Sequence, residues 1–87
     1  MKFSDFATMF TFYNARKVDG NVVIDFPMRE VEEARIDLKN GVIRVKYRGN
    51  WYEFTPHGAD IGGHKWRGEL NVTAYYLGKT ILLIIEE

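Results

Sequence analysis

Cysteine is absent from the 87 residues, which excludes disulfides, thiolate metal sites and a cysteine nucleophile, and favours a cytosolic protein over a stapled secreted one. Serine occurs once, as Ser4, and no threonine adjoins a histidine in sequence, so a hydroxyl nucleophile has no support. Neither sign of charge is in surplus: twelve Lys plus Arg face twelve Asp plus Glu. That balance removes the global attraction used by most nucleic-acid and anionic-membrane binders, and it also argues against an acidic DNA mimic. Long apolar runs are missing too. The longest, Ile81 to Ile85, falls far short of the roughly 20 residues that span a bilayer, and no apolar signal core follows Met1-Lys2. The sequence therefore predicts a soluble, unprocessed, cytoplasmic protein.

What is present is ordinary globular material. Hydrophobic residues make up 46% and charged residues 28%, which excludes intrinsic disorder, and a 10.2 kDa chain suffices for one domain and not two. One short stretch has helical spacing. Phe3, Phe6, Ala7 and Phe10 recur at three and four residues, Ser4 offers an N-cap and Asp5 suits the positive end of a helix dipole, predicting a helix over 4–10. Beyond it, period-two alternation broken by two-residue turn signals predicts strands.

Each turn signal imposes a register that the side chains can test. An Asn40-Gly41 turn pairs Leu38 with Ile43, Ile36 with Val45, Ala34 with Tyr47, Asp37 with Arg44 and Glu33 with Arg48, matching apolar with apolar and acid with base. A Gly49-Asn50 turn pairs Tyr47 with Tyr52, Val45 with Phe54 and Lys46 with Glu53, so 33–55 reads as a three-stranded meander. Asp19-Gly20 pairs Lys17 with Val22, Ala15 with Ile24 and Tyr13 with Phe26, a hairpin over 11–26 that Pro27 ends. A Gly78-Lys79 turn pairs Tyr76 with Ile81, Ala74 with Leu83 and Val72 with Ile85, a C-terminal hairpin over 69–86. The all-apolar strand 81–85 should be central and buried on both faces, with the helix covering the second. Residues 56–68 read as a long loop. The fold class is thus mainly β (α+β), about seven antiparallel strands in a small barrel or sandwich with one N-terminal helix.

Three places could carry function. The 56–68 loop holds both histidines, and His57, Asp60 and His64 are of the types that ligate zinc or move protons near neutral pH. Their spacing matches no zinc signature, however, and a glycine-rich surface loop would look the same; Gly62-Gly63-His64-Lys65 as a phosphate nest lacks the P-loop spacing. The outer face of the meander gathers Arg35, Lys39, Arg44, Lys46 and Arg48 beside Trp51, the basic and aromatic combination that binds single-stranded nucleic acid, although Glu33, Asp37 and Glu53 are interleaved with them as on any solvated sheet. Thirteen aromatics exceed the needs of a small core, and Trp51 with Arg48, and Trp66 with Arg67, are the residue types that anchor protein interfaces. Phe12 and one of Tyr75 or Tyr76 also fall outside the expected core. The acidic run Glu30, Glu32, Glu33 reads as a polar connection, or as a surface for a basic partner. No motif calls for a cofactor.

In layout, the Phe3-Ser4-Asp5-Phe6 helix start, the meander and the closing Ile81–Ile85 strand, the chain resembles small proteins of phages and other mobile elements in bacteria, anti-CRISPR and other anti-defence inhibitors among them. That resemblance implies stoichiometric binding to a host protein and carries over no functional residue. The leading reading is a non-catalytic interaction protein, an inhibitor or modulator presenting Trp51, Trp66, Arg48 and Arg67. The alternative is a small β-barrel that binds single-stranded nucleic acid through Arg44, Lys46, Arg48 and Trp51. The third is a metal-dependent hydrolase or nuclease using His57, Asp60 and His64. An exposed edge strand would give any of them a route to a homo-oligomer.

Overall fold

Alternating burial marks the strands, and their two-residue turns set how they pair. The computed structural model describes residues 1–10 and 14–87. Among these, helix α1 (Phe3–Phe10) precedes nine strands: β1 (Ala15–Val18), β2 (Asn21–Pro27), β3 (Val31–Asp37), β4 (Val42–Tyr47), β5 (Asn50–Thr55), β6 (Gly58–Ile61), β7 (His64–Arg67), β8 (Asn71–Leu77) and β9 (Thr80–Glu86). They form two antiparallel sheets, β1-β2-β9-β8 and β3-β4-β5-β6-β7, which are not closed into a barrel. The mainly β class with one N-terminal helix is as the sequence predicts. The first residues of the predicted 11–26 hairpin, its Tyr13–Phe26 pair and Phe12 lie outside the described residues.

The outer hairpins adopt the predicted registers. Ala15 pairs with Ile24 and Lys17 with Val22 across Asp19-Gly20, both of which take the positive φ of a type I′ turn. Val72 pairs with Ile85 and Tyr76 with Ile81 across Gly78-Lys79. The meander keeps the predicted faces but shifts both registers by two residues. Ala34 faces Val45 and Ile36 faces Ile43, because Leu38–Gly41 forms a four-residue loop instead of a two-residue turn. Asp37 builds that loop, accepting bonds from the Asn40 backbone N–H and side-chain amide, and Leu38 is left exposed. The next turn is Arg48-Gly49, both at positive φ, not Gly49-Asn50, so Val45 faces Tyr52 and Arg44 faces Glu53.

The predicted 56–68 loop is instead largely a hairpin, which raises the strand count from about seven to nine. Gly62 and Gly63 both take positive φ, and around them Ala59 pairs with Trp66 and Ile61 with His64. The predicted Ser4 cap is also replaced. Ser4 lies buried inside α1, the Lys2 carbonyl accepts the first helical bonds, and the Glu87 carboxylate, 84 residues away, accepts from the Phe3 N–H at 2.7 Å and the Ser4 N–H at 3.5 Å. A carboxylate suits that position because it satisfies helix donors without a carbonyl partner and complements the positive end of the dipole.

One core fills the space between the sheets. Val22, Ile24 and Phe26 of β2 and Ile81, Leu83 and Ile85 of β9 meet Ile43, Val45, Tyr52 and Phe54 of the second sheet. Phe26 stands edge-on to Tyr47 and Tyr52, with ring centroids 5.2 and 5.0 Å away. Helix α1 joins this same core through Phe3, Phe6 and Ala7, so it does not cover the outer face of β9 as predicted. β9 is central, but only alternate residues are buried; Leu82 and Ile84 on the outer face are partly buried.

Glu87→Ala should lower stability by about 0.5–2 kcal/mol, the usual cost of a lost helix N-cap. Urea unfolding that leaves the midpoint unchanged would contradict the capping role.

Candidate functional site

Most of the predicted basic face forms, yet Arg35, Arg44, Lys46 and Arg48 are already paired with carboxylates, while Lys39 sits in the exposed loop between β3 and β4. Arg44, Lys46 and Trp51 lie on the outer surface of the second sheet, where Lys46 faces Trp51 and Arg44 faces Glu53. The Arg44 guanidinium sits 4.6 Å from the Trp51 ring centroid and bonds the Glu53 carboxylate at 3.1 Å. Lys46 reaches Glu32 at 3.5 Å, Arg48 reaches Glu30 at 3.8 Å and Arg35 reaches Glu33 at 2.8 Å. The acidic run is therefore turned onto the protein's own cations, and Glu30 and Glu32 also accept from the Tyr47 hydroxyl and the Gly49 N–H. Each exposed pair contributes only about 0–1 kcal/mol, but together they leave little uncompensated positive charge for a phosphate backbone. A base could stack on the covered face of Trp51 only by displacing Arg44 from both the ring and Glu53.

Trp51, Trp66, Arg48 and Arg67 are not brought together. Trp66 lies on the opposite side of the sheet from Trp51, packed against the core. Its indole meets the Phe3 ring edge-on at 5.4 Å and donates to the Met1 carbonyl at 3.0 Å. Trp66 thus acts as a clamp on the N-terminal segment. Arg48 occupies the β4–β5 turn, whereas Arg67 pairs with Gly58, beside the other end of β5 where Gly58 faces Thr55.

The histidine cluster is also divided. His57 is exposed and lies 3.5 Å from the Glu69 carboxylate; Asp60 accepts from the Gly63 N–H at 2.9 Å and so caps the β6–β7 turn. His64 stacks on Phe10 at 4.1 Å. Among the described residues no three His, Asp or Glu side chains converge as a metal site would require. His57 and Asp60 do line a shallow depression of about 240 Å³ with Glu53, Lys65 and Arg67. Its carboxylates and cations offset one another, and the Thr55 hydroxyl that also lines it is engaged by the backbone, accepting from the His57 N–H at 3.2 Å and donating to the Gly58 carbonyl at 3.4 Å.

Sequence reasoning missed the outer face of the first sheet, because it assigned the helix to cover it. Val23 faces Ile84 and Asp25 faces Leu82 across β2 and β9; Ile84 then faces Thr73 and Leu82 faces Tyr75 across β8 and β9. The result is an apolar strip that continues into Tyr75 and Leu77, 43% and 57% exposed. The signal was the lack of any polar alternation in Ile81–Ile85. No family model, curated protein or solved structure matches the chain.

Gly68 tests the placement of Trp66, since a Cβ there would lie 2.2 Å from the indole. Gly68→Ala should cost about 1–3 kcal/mol in wild type, as overpacking does, and less than about 0.5 kcal/mol in a Trp66→Ala background. Equal costs in both backgrounds, measured by denaturant unfolding, would contradict that contact.

Proposed function

We propose that this chain is a small non-catalytic interaction protein that binds and modulates a host protein, the role implied by its resemblance in layout to phage and mobile-element inhibitors. The observation that carries the reading is the uncharged strip Val23, Leu82, Ile84, Tyr75 and Leu77 across the first sheet. Val23 itself is buried at one end of the strip, but Leu82 and Ile84 of β9 and Tyr75 and Leu77 of β8 are partly open to water, and such apolar side chains are what a protein partner can bury, with Tyr75 as the aromatic anchor. The partner presents a complementary apolar patch. Its rim would meet the Arg16–Asp25 ion pair at one side of the strip.

The paired cations and the covered ring of Trp51 favour this reading over nucleic-acid binding, and the separation of His57, Asp60 and His64 favours it over metal-dependent hydrolysis. The two faces have distinct chemistry, so one experiment divides the readings. Wild type, Leu82→Lys and Trp51→Ala, each confirmed folded, are used to capture partners from a bacterial lysate at low and high salt, with and without nuclease. The expected result is one protein in stoichiometric amount, retained through nuclease and salt by wild type and Trp51→Ala and lost by Leu82→Lys. Recovery of nucleic acid alone, released at high salt and reduced by Trp51→Ala, would overturn the proposal.

A further inference from the structure

The two sheets present four edges, and they are not protected alike. An exposed edge strand invites pairing with another chain, and proteins commonly block it with charge, proline, a bulge or brevity. β1 has four residues, with Arg16 and Lys17 at its centre. β7 also has four, with Lys65 and Arg67. β3 carries Glu32, Glu33, Arg35 and Asp37 and a register break between Val31 and Glu33. β8 has none of these: Asn71–Leu77 is seven residues long, without charge or proline, and in unbroken register with β9.

The turn determines which backbone groups of β8 are free. A two-residue turn makes Leu77 and Thr80 the closing hydrogen-bonded pair, so alternate residues from Leu77 back to Asn71 bond to β9. Val72, Ala74 and Tyr76 consequently turn their N–H and C=O groups outward. Leu70, in the same phase, confirms the direction, since its N–H leaves the hairpin to reach the Pro56 carbonyl at 2.9 Å. Beyond Leu70, among the described residues, no backbone bond from another element meets this side of β8. Tyr75, Tyr76 and Leu77 are 43%, 60% and 57% exposed, so both faces of the strand end are open.

We propose that β8 is a self-pairing edge through which two copies of this chain form an antiparallel dimer about a two-fold axis at Ala74. That axis places Ala74 opposite Ala74 of the second copy, Val72 opposite Tyr76, Thr73 opposite Tyr75 and Asn71 opposite Leu77. The outward backbone groups of Val72, Ala74 and Tyr76 then meet one another as hydrogen-bonded pairs. Every facing pair is uncharged, and β-branched residues meet aromatic ones, a favourable cross-strand combination. The same operation on β1, about its outward-facing Lys17, would set Lys17 directly against Lys17 of the second copy. The formal net charge of zero adds no long-range repulsion between copies. A second copy fits the edge better than a charged peptide because β8 offers no charge to select one. The product is an eight-stranded sheet on which the apolar strips of the two protomers form one surface.

Sedimentation velocity tests this directly. The weight-average mass of wild type should rise from 10.2 kDa towards twice that value between about 1 μM and 1 mM. Tyr76→Lys adds an edge charge at an exposed position, and Tyr76→Pro removes a donor that β9 does not use; each should stay folded and weaken dimerisation at least about tenfold. Thr73→Lys on the other face serves as the second charge variant should either fail to fold. A wild-type mass that stays monomeric over the whole range would overturn the proposal. So would a dimer that persists undiminished in the folded variants.

Discussion

The two sheets share no strand, so packed side chains hold them together along most of their length, and Phe3 is the one on which the packing at the helix end depends. It is fully buried, with its ring centroid 6.2 Å from Phe54 and 5.4 Å from Trp66. Full burial of such a ring is worth roughly 1.5–3 kcal/mol. Its position is held from two directions: the Glu87 carboxylate bonds its backbone N–H, and the Trp66 indole bonds the Met1 carbonyl. An eight-residue helix is too short to be stable by itself; here tertiary contacts at its N-terminal turn hold it. This constraint also turns Trp66 inward and partly buries it, because the ring is needed where the N-terminal segment crosses the sheet.

The outer faces of the sandwich have opposite characters. On the second sheet, four carboxylates from β3, β5 and the turn before β3 pair with Arg35, Arg44, Lys46 and Arg48. Such a face is solvated, specific in register and poorly suited to a charged ligand. The first sheet takes both its central strands from apolar stretches of the sequence, and among the described residues its outer face retains one ion pair, Arg16 with Asp25. The inner face of β9 supplies the core, while Leu82 and Ile84 on its outer face are only partly covered. Their chemistry and the undefended β8 edge belong to the same sheet, and the proposed association with protein rests on both.

Much of this architecture was legible in the sequence. Asp19-Gly20 and Gly78-Lys79 gave correct registers because two-residue turns with glycine fix strand pairing locally. The meander was misplaced by two residues for a reason equally local: Asp37 caps Asn40 and lengthens the first loop, and Arg48 accepts a left-handed conformation beside Gly49. A shift of two preserves the faces, so the inward residues were identified while their partners were not. Ala59, Ile61, His64 and Trp66 alternate about Gly62-Gly63, but strands of four residues are easily read as loop when glycine and histidine surround them. The site was less legible than the fold. Face assignments placed Arg44, Lys46 and Trp51 together, yet no pattern announces that Trp66 turns inward, that Glu32 reaches Lys46 across the β3–β4 ladder, or that Glu87 caps the helix, since each depends on the packing of distant segments.

Residue-resolved amide hydrogen exchange along β8 tests most directly whether the first sheet ends in an open, self-pairing edge. In dilute solution the amides of Val72, Ala74 and Tyr76 should exchange rapidly while those of Thr73, Tyr75 and Leu77, bonded to β9, remain protected, and the contrast should fade as concentration rises and the edges pair. Protection at Val72, Ala74 and Tyr76 equal to that of their neighbours at the highest dilution, or a contrast indifferent to concentration, would contradict the account.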